Sequence, residues 1–508
     1  MIMDWFLLFV SILCVSILSG FIIYAVAKKD GGNRLSIYCR NYVQVVAAAV
    51  ILISIIYPVL VNHGTKVGPE MMKIFAILSV TALSVMVIIN LSREIAFPLV
   101  NDSQLSADIA SEITATTDNT VNFLGFKIKI PGNLQLFLSI AMIALTSRMI
   151  IYFIGYLYTL LVLNQQQDLF ASFVSLWFKW DSEHYLEIAQ NGYRSVGDKA
   201  HIICFYPLYP SFIRLFARIT GNYLWAAVMV SNLALITAGY YLYQLTRLDF
   251  DEDTSHRAVK YMLIYPFSFF LGLPYTESLF LALTLMTLYY LRKKEWLIAG
   301  TCGCLAALTK NQGVLLLIPA GIEYLLSNNP VATFRQQNYP AAFKSFFIRG
   351  LALLLIPMGI LVYLFINKMI LGDWFGFLEY QENFYHQRLG FFANTIYGIT
   401  ESALNLQDQF RFTYTIPALI SFLVVVLVLF YSFHKIRLSY LAYALVYLVV
   451  SFSPTWLLSG SRYISSLAPL FLIFAVFSKD RSTDTILTFC STCLLGAYTL
   501  AFLTGRVL

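Results

Sequence analysis

Charged residues are scarce in this chain. Asp, Glu, Lys and Arg make up 12% of the 508 residues, against about 25% in soluble domains. Hydrophobic residues make up 59%, which exceeds the roughly 45–50% of a soluble domain. These departures exclude an ordinary soluble protein and indicate a polytopic membrane protein. The net charge of +7 does not indicate a nucleic-acid-binding surface, because most lysines and arginines lie in short loops between apolar runs.

Cysteine is also sparse, and its 7 residues are scattered along the chain, which excludes a disulfide scaffold. Cys302 and Cys304 diverge on a helix, while Cys490 and Cys493 share a helical face without a histidine nearby. We therefore expect small core residues rather than metal ligands. No resident cofactor is predicted, although the carboxylates next to His184 leave a divalent ion open.

The N-terminus lacks the features of a cleavable signal peptide. Asp4 stands where a basic segment would be needed, and no small-residue cleavage site follows. Lys28 and Lys29 come after the apolar run. This order indicates a retained span that enters the membrane with its N-terminus outside.

Apolar runs dominate what is present. A helix needs about 20 apolar residues to cross a bilayer, and several runs are shorter, so their boundaries are approximate. The pattern predicts an all-α polytopic membrane protein of about 14 spans. The runs are 4–27, 42–62, 73–91, 135–163, 223–246, 258–272, 277–291, 296–309, 312–326, 350–371, 413–433, 438–453, 461–477 and 485–503.

Basic residues indicate one orientation for all of these spans, because basic loops lie in the cytoplasm. Every basic cluster follows an odd-numbered run. The clusters include Lys28 and Lys29, Arg247 and Arg257, Arg292 to Lys294, Arg335 and Lys344, Lys435 and Arg437, and Lys479 and Arg481. The two long loops 164–222 and 372–412 are then external. The apolar piece 205–219 cannot be a full span without inverting this order, so we interpret it as an interfacial or re-entrant helix.

This organisation divides the chain into three parts. Residues 1–91 form an N-terminal three-span unit. Residues 92–133 are polar and poorly periodic, and they read as a cytoplasmic linker. Residues 134–508 form the main membrane body, with 164–222 as a catalytic external loop and 372–412 as a second external loop.

The segment 180–193 is polar, aromatic and rich in carboxylates. Asp181 and His184 share one face of a predicted helix that Gly192 would end. A carboxylate at the outer membrane surface can accept a proton from an attacking hydroxyl, which makes Asp181 a candidate base. A solvated loop aspartate or a helix N-cap fits the spacing equally well. Glu183 and Glu187 lie on another face and are expected to be solvated.

Short external turns carry further candidates. Lys310 and Arg462 stand on the same side as Asp181, where cations can bind a phosphate or simply extend to the interface. Glu277 opens a predicted helix, where the helix dipole alone favours a negative charge. Arg148 lies within a long apolar run, and we favour a structural role for it. The segment 372–383 combines aromatic rings, amides and carboxylates, which suits sugar binding or an interfacial helix.

Three patterns resemble one known family. Trp-Asp-x-x-His-Tyr-x-x-Ile-Ala-x-x-Gly-Tyr at 180–193, Phe-x-Pro-Leu-Tyr-Pro at 205–210 and Pro-Tyr-Thr-Glu-Ser at 274–278 look like the PIG-V family of GPI mannosyltransferases and its prokaryotic relatives. Leu-Thr-Lys-Asn-Gln-Gly at 308–313 and Ser-Arg-Tyr at 461–463 resemble turns of GT-C glycosyltransferases. The resemblance covers roughly 135–480 and leaves 1–133 outside.

The resemblance implies a GT-C-type helical bundle and an inverting transfer from a polyprenyl- or dolichyl-phosphate-linked sugar. It implies that Asp181 is the base. Arg462, Lys310 and His184 are then expected to bind the donor phosphate. Substrate contacts are expected from Trp180, Tyr185, Tyr209, Tyr275, Glu277, Trp374, Gln381 and Tyr463. Tyr185 replaces a common Phe, and Lys310 replaces a commoner Arg, which weakens bidentate phosphate binding there.

The sequence therefore predicts a multi-pass membrane glycosyltransferase, most simply a mannosyltransferase, whose partners are membrane lipid, the lipid-linked donor, and a lipid, glycan or protein acceptor. The site would be external in a prokaryotic plasma membrane, or lumenal in the endoplasmic reticulum of a eukaryote. The alternatives are a transporter or flippase of lipid-linked sugars, and a protein O-glycosyltransferase or oligosaccharyltransferase. A transporter would place charges at the membrane midplane, whereas these cluster at one face. A membrane scaffold leaves the segment 180–193 unexplained.

Overall fold

The computed structural model describes residues 132–163, 168–328, 350–405 and 411–505, with a hairpin at 120–123 and 126–129 and isolated positions at 69, 72, 73, 76 and 407. The predicted N-terminal unit 1–91, apart from those first four positions, lies outside the described residues. So do residues 92–119 of the predicted linker and the predicted basic loop at Arg335 and Lys344.

Helices make up almost all of the described chain, as predicted. In order they are α1 Gly132–Leu161, α2 Leu169–Trp177, α3 Asp181–Asn191, α4 Leu208–Thr220, α5 Tyr223–Arg247, α6 Glu252–Ile264, α7 Glu277–Arg292, α8 Trp296–Thr309, α9 Leu317–Asn328, α10 Leu355–Leu371, α11 Gly376–Asn383, α12 Phe392–Leu404, α13 Ile416–Ser432, α14 Leu438–Ser451, α15 Gly460–Ile464, α16 Ala468–Phe477 and α17 Arg481–Leu503. Short 3-10 turns lie at Ala200–Cys204, Ser268–Gly272, Asn311–Leu316 and Ala352–Leu354, and a π-helical turn lies at Arg411–Thr415.

One small sheet interrupts the all-α pattern. Strands β1 (Thr120–Phe123) and β2 (Phe126–Lys129) pair antiparallel, with Thr120 opposite Lys129 and Phe123 opposite Phe126. The hairpin falls inside the predicted linker 92–133. Its strands are four residues each, so it adds no sheet layer to the helical bundle.

In the part of the chain that the structure describes, five helical stretches are long and apolar enough to cross a membrane: Gly132–Leu161, Tyr223–Arg247, Ala352–Leu371, Arg411–Ser432 and Arg481–Leu503. Shorter apolar helices accompany them, among them α8 and α14. The membrane class that the composition predicts is therefore confirmed. The helix α4 has 13 residues, with Tyr209, Ile213 and Ala217 buried on one face. Its length is too short for a span, as predicted for 205–219, since a crossing needs about 20 residues.

Of the predicted runs that fall within the described residues, two break into separate elements. The run 258–272 breaks between α6 and the following 3-10 turn, where Pro266 cannot donate a backbone hydrogen bond. The run 461–477 breaks after Ile464, where the Ser465 hydroxyl donates to the Arg462 carbonyl at 2.6 Å. Such a side-chain bond competes with the helix ladder, and Pro469 then starts a new helix.

Arg148 has the structural role that we favoured. Its side chain is buried, and its guanidinium donates to the carbonyls of Ser268 and Leu263, the latter at 2.9 Å. These carbonyls lie on either side of the break between α6 and the 3-10 turn. Since a broken helix leaves carbonyls without intrahelical partners, the buried charge satisfies them.

The helix α7 is the centre of the bundle. It packs against α5 and α8, and residues on all of its faces are buried, as expected for a helix that is apolar all round. Its first residue is Glu277 and its last is Arg292. The helix therefore places one buried carboxylate and one largely buried guanidinium at opposite ends of the core.

Four charged residues around the Arg292 end form what we call the distal cluster: Asp249, Arg292, Glu323 and Arg437. Arg292 binds both Asp249 oxygens, at 2.5 and 2.7 Å. Arg437 binds both Glu323 oxygens, at 2.6 and 3.0 Å. The Tyr440 hydroxyl accepts from Arg292, and the Ser439 hydroxyl donates to Glu323.

Candidate functional site

The helix α3 begins after a strained turn. Trp180 has φ 59° and ψ −125°, a conformation that side-chain-bearing residues rarely adopt. The Ser182 and Tyr275 hydroxyls hold the turn by donating to the Lys179 carbonyl, at 2.6 and 2.8 Å. Gly192, with φ 77°, ends the helix as predicted. Backbone strain of this kind is typical of sites where geometry matters for function.

Asp181 is the first residue of α3 and does not act as its side-chain cap. The cap position is Trp180, which makes no side-chain hydrogen bond to the helix. The Asp181 carboxylate instead contacts Arg462 of α15, with 2.7 Å between Oδ2 and Nη2. The Asp181 side chain is 26% exposed and that of Arg462 is 9% exposed. The carboxylate is therefore paired but still open to solvent on one side.

Glu277 lies beneath this pair and is fully buried. Its Oε1 is 2.8 Å from Lys310 Nζ and 3.3 Å from Arg462 Nε. Among the described residues, neither its Oε2 nor the Arg462 Nε has a hydrogen-bond partner. We call Asp181, Glu277, Lys310 and Arg462 the cavity cluster. The position of Glu277 at the start of α7 favours its negative charge.

Aromatic rings surround the two cations of the cavity cluster. The Arg462 guanidinium lies 5.4 Å from the Tyr275 ring centre and 5.8 Å from that of Tyr463. Lys310 Nζ lies 5.5 Å from the Tyr463 ring centre. Such contacts stabilise cations that have little water around them, so they help to keep both charges inside the protein.

A cavity of about 410 Å³ opens beside the cluster, within the size range of small-molecule sites. One wall is charged and comes from α3, α15 and the turn that contains Lys310. The other wall is neutral. The lining residues are Trp180, Asp181, His184, Tyr185, Cys204, Phe205, Tyr206, Thr276, Thr309, Lys310, Asn311, Gln312, Phe377, Gln381, Tyr385, Gln387, Leu389, Val450, Pro454, Leu458, Ser459, Arg462 and Tyr463.

The neutral wall is built by joining the loop after α11 to the loop after α14. Leu389 and Pro454 form an isolated antiparallel bridge, and the Gly390 amide donates to the Ser453 carbonyl at 2.8 Å. Gln387 donates from its side chain to the Trp456 carbonyl at 2.9 Å. These bonds fix the loop around 381–390 against the cavity.

His184 lines the cavity one turn after Asp181. Its ring packs 4.8 Å from Phe205 and 5.3 Å from His201, measured between ring centres. Burial lowers the pKa of His184 below its ordinary value, and Asp181 opposes that shift only in part. Since an unperturbed histidine titrates near pH 6.5, the ring is neutral at pH 7 and can offer a hydrogen bond rather than a charge.

The structure brings eight of the predicted site residues to the cavity wall: Trp180, Asp181, His184, Tyr185, Lys310, Gln381, Arg462 and Tyr463. The other four predicted substrate contacts lie elsewhere. The hydroxyl of Tyr209 is buried against Ser231 at 2.7 Å, and that of Tyr275 holds the Trp180 turn. Glu277 sits behind the cations. Trp374 is exposed and packs on Phe365, with 6.2 Å between ring centres.

The Glu187 side of α3 is a separate ion-pair network, and the Glu187 side chain is only 15% exposed rather than solvated as predicted. Glu187 accepts from Lys199 at 2.5 Å and from Arg194 at 3.2 Å, and both cations are half-exposed. Glu183 is exposed. Among the described residues, no group of three or more His, Cys, Asp or Glu side chains is arranged to hold a metal ion.

Sequence reasoning missed several residues of the neutral wall, notably Tyr206, Tyr385 and Gln387. Tyr206 stacks on Tyr363 with 4.1 Å between ring centres. The Phe-x-Pro-Leu-Tyr-Pro pattern at 205–210 could have drawn attention to Tyr206. Tyr385 and Gln387 follow α11 in a loop whose pairing with residues 453–456 has no local sequence signal.

The comparisons with known proteins give one finding. A family model described as dolichyl-phosphate-mannose-protein mannosyltransferase matches residues 206–355. The match contains Glu277 and Lys310 but not Asp181 or Arg462. It supports a membrane glycosyltransferase of the GT-C type that uses a polyprenyl-phosphate-linked sugar, whereas the resemblance to the PIG-V family is not confirmed. No curated protein and no solved structure matches the chain significantly.

Proposed function

We propose that the protein is an integral-membrane mannosyltransferase that moves the sugar from a polyprenyl phosphate to an acceptor hydroxyl on the external side of the membrane. The observation that carries the proposal is the Asp181–Arg462 pair at the wall of an open cavity. It supplies a proton acceptor and a phosphate-binding cation within 2.7 Å of each other. Mannose is supported by the description of the matching family, and the external side by the placement of the basic loops.

The reaction is a single displacement at C1 of the sugar. Asp181 takes the proton of the acceptor hydroxyl, and the acceptor oxygen forms a bond to C1. The bond between C1 and the phosphate oxygen breaks at the same time, and its electron pair leaves with the polyprenyl phosphate. One displacement inverts the configuration at C1. Because a phosphate is a good leaving group, the acid that glycosidases need is dispensable.

Arg462 couples the two halves of this reaction. The cavity cluster carries two negative and two positive charges before the donor binds. The phosphodiester donor brings one negative charge, and the phosphate that leaves carries a second. As this second charge develops, Asp181 becomes protonated and loses the negative charge that pairs with Arg462. The guanidinium can then pair with the leaving phosphate, which it binds best through two parallel hydrogen bonds.

Lys310 and Glu277 complete the arrangement. Lys310 gives a second, compact positive charge for the phosphate. Glu277 is buried behind both cations and lies on the side away from the cavity, so it acts as their fixed counter-ion. It keeps the two cations in place without reaching the substrate.

A protein hydroxyl is the second acceptor to consider. The matching family is described as acting on protein, whereas the motifs at 180–193 and 274–278 resemble enzymes that act on a glycolipid. Both acceptors offer a hydroxyl to Asp181 and leave the donor side of the mechanism unchanged. A transfer assay with lipid and protein fractions separated after the reaction distinguishes them.

Asp181→Asn tests the proposed function directly. The purified variant, given radiolabelled polyprenyl-phosphate mannose and membrane acceptors, should transfer sugar about 10³-fold more slowly, within the range for loss of a general base. The matched control is Glu183→Gln, which removes one negative charge from an exposed position of the same helix and should leave the rate unchanged. Asp181→Asn activity near wild type, or an equal loss in both variants, contradicts the assignment.

A further inference from the structure

Tyr385 presents an unusual hydroxyl in the neutral wall of the cavity. Its oxygen is buried, and it has no hydrogen-bond partner among the described residues. The ring is held by Phe384 at 5.0 Å, His201 at 5.8 Å and Phe205 at 6.2 Å, measured between ring centres. An unpaired buried hydroxyl is costly, so a protein rarely keeps one unless a ligand or water completes it.

The neighbouring amides form a chain of hydrogen bonds that runs in one direction. Gln381 donates to the Gln387 carboxamide oxygen at 2.8 Å, and Gln387 donates to the Trp456 carbonyl at 2.9 Å. Within the described part of the chain, no group donates to the carboxamide oxygen of Gln381. This wall therefore offers an unpaired hydroxyl from Tyr385 and an unpaired acceptor from Gln381.

The two walls of the cavity suit different parts of the substrate. The cavity cluster supplies charge for a phosphate, whereas the lining residues from the loop after α11 are uncharged. A neutral hydroxyl-rich group matches phenol and carboxamide partners, because each can pair with a hydroxyl without desolvating an ion. The sugar carried by the lipid phosphate is such a group.

We propose that Tyr385, supported by Gln381, hydrogen-bonds a hydroxyl of the transferred sugar and thereby determines which sugar is used. This inference rests on the proposed function, since it divides one lipid-linked donor between the two walls. It does not concern the acceptor, which approaches Asp181. Loss of the Tyr385 hydroxyl should weaken binding of the sugar-bearing lipid and leave binding of the bare lipid phosphate unchanged.

The test compares two probes on the full-length chain in detergent: polyprenyl phosphate and polyprenyl-phosphate mannose. Tyr385→Phe should bind polyprenyl-phosphate mannose about 10-fold more weakly, the usual effect of one neutral hydrogen bond, and bind polyprenyl phosphate as the wild type does. Tyr380→Phe is the matched control. It removes a phenol from α11, five residues before Tyr385, at a position that does not line the cavity, and both affinities should be unchanged.

The outcomes separate this inference from the proposed function. Unchanged affinities in Tyr385→Phe, equal losses for both probes, or a raised KM for the acceptor alone would overturn the role of Tyr385. Wild-type protein that binds neither lipid would overturn the proposed function itself. Retained binding of polyprenyl phosphate by Tyr385→Phe shows at the same time that the variant is folded.

Discussion

The two ion-pair clusters at opposite ends of α7 have similar composition, but their charged groups differ in how fully they are hydrogen-bonded. In the distal cluster, Arg292 and Arg437 each bind both oxygens of one carboxylate. In the cavity cluster, a single Glu277 oxygen serves two cations, and the other oxygen has no partner within the described chain. The two clusters are about 22 Å apart, since α7 rises 1.5 Å per residue from Glu277 to Arg292.

This difference is the one expected between a structural cluster and a ligand-binding cluster. Paired forks of hydrogen bonds fix helices rigidly and leave no capacity for a ligand. The cavity cluster keeps unused hydrogen-bonding capacity beside an open volume, although unpaired buried groups destabilise the fold. We infer that the distal cluster holds α9 and the ends of α5, α7 and α14 together, while the cavity cluster is completed by substrate.

The largest effect is expected from breaking the distal cluster. Arg437→Met leaves the buried Glu323 carboxylate without its bidentate partner, which should lower the free energy of unfolding by about 3–5 kcal/mol. Thermal unfolding in detergent would show the loss. The folded fraction should keep the kcat of the wild type, because Arg437 is far from the cavity. Unchanged thermal stability would contradict the structural interpretation of this cluster.

Replacing one buried glutamate of each cluster by glutamine should give smaller effects that distinguish the two clusters. Glu277→Gln removes the counter-ion of Arg462. The Arg462 guanidinium then binds Asp181 and the phosphate product more tightly. We expect kcat to fall about 10-fold, or about 1.4 kcal/mol, without a rise in the donor KM. Glu323→Gln should lower stability and leave kcat unchanged. An equal fall of kcat in both variants would mean that the two clusters do not differ in function.

The smallest effect should come from the Glu187 ion-pair network of α3. Glu187→Gln should change the free energy of unfolding by less than about 1 kcal/mol and leave activity intact, because its partners Lys199 and Arg194 are half-exposed. Hydrogen bonding from Lys199 is the main cause that lowers the pKa of Glu187. The pair therefore stabilises the protein at neutral pH, and this contribution is lost as the pH falls through the lowered pKa.

Two measurements check that last expectation. Thermal unfolding of wild type and Glu187→Gln should differ slightly at pH 7 and converge at acid pH. High salt should also remove the difference, since exposed ion pairs are screened over a Debye length of about 3 Å at 1 M salt. A large loss of transfer activity in Glu187→Gln would mean that this face of α3 belongs to the site, which contradicts the prediction.

The sequence predicts those features that follow from local physical chemistry. Apolar runs give the membrane class, Gly192 ends α3 with a positive φ that other residues rarely adopt, and the long apolar run around Arg148 favours a structural role for it. The segment 180–193 is recognisable because its polar composition stands out from its surroundings. These inferences need only the periodicity and the special backbone geometry of single residues.

Features that depend on long-range packing are not predictable in this way. A carboxylate at the start of a helix is usually explained by the helix dipole alone, so the full burial of Glu277 between two cations has no local signal. The contact between Arg462 and Asp181 joins residues far apart in the chain, so no local pattern predicts it. The loop that contains Tyr385 pairs with residues 453–456 far along the chain, and that pairing also has no local signal.

The length of α7 has a consequence for the surrounding lipid. At 1.5 Å per residue its 16 residues span roughly 24 Å, and the 14 residues of α8 span roughly 21 Å, both less than the about 30 Å of bilayer hydrocarbon. We therefore expect the cavity at their ends to be recessed below the headgroup level. A lipid-linked donor can lower its phosphate to the cations while its chain stays in the bilayer. Because of this hydrophobic mismatch, we expect turnover to depend on bilayer thickness.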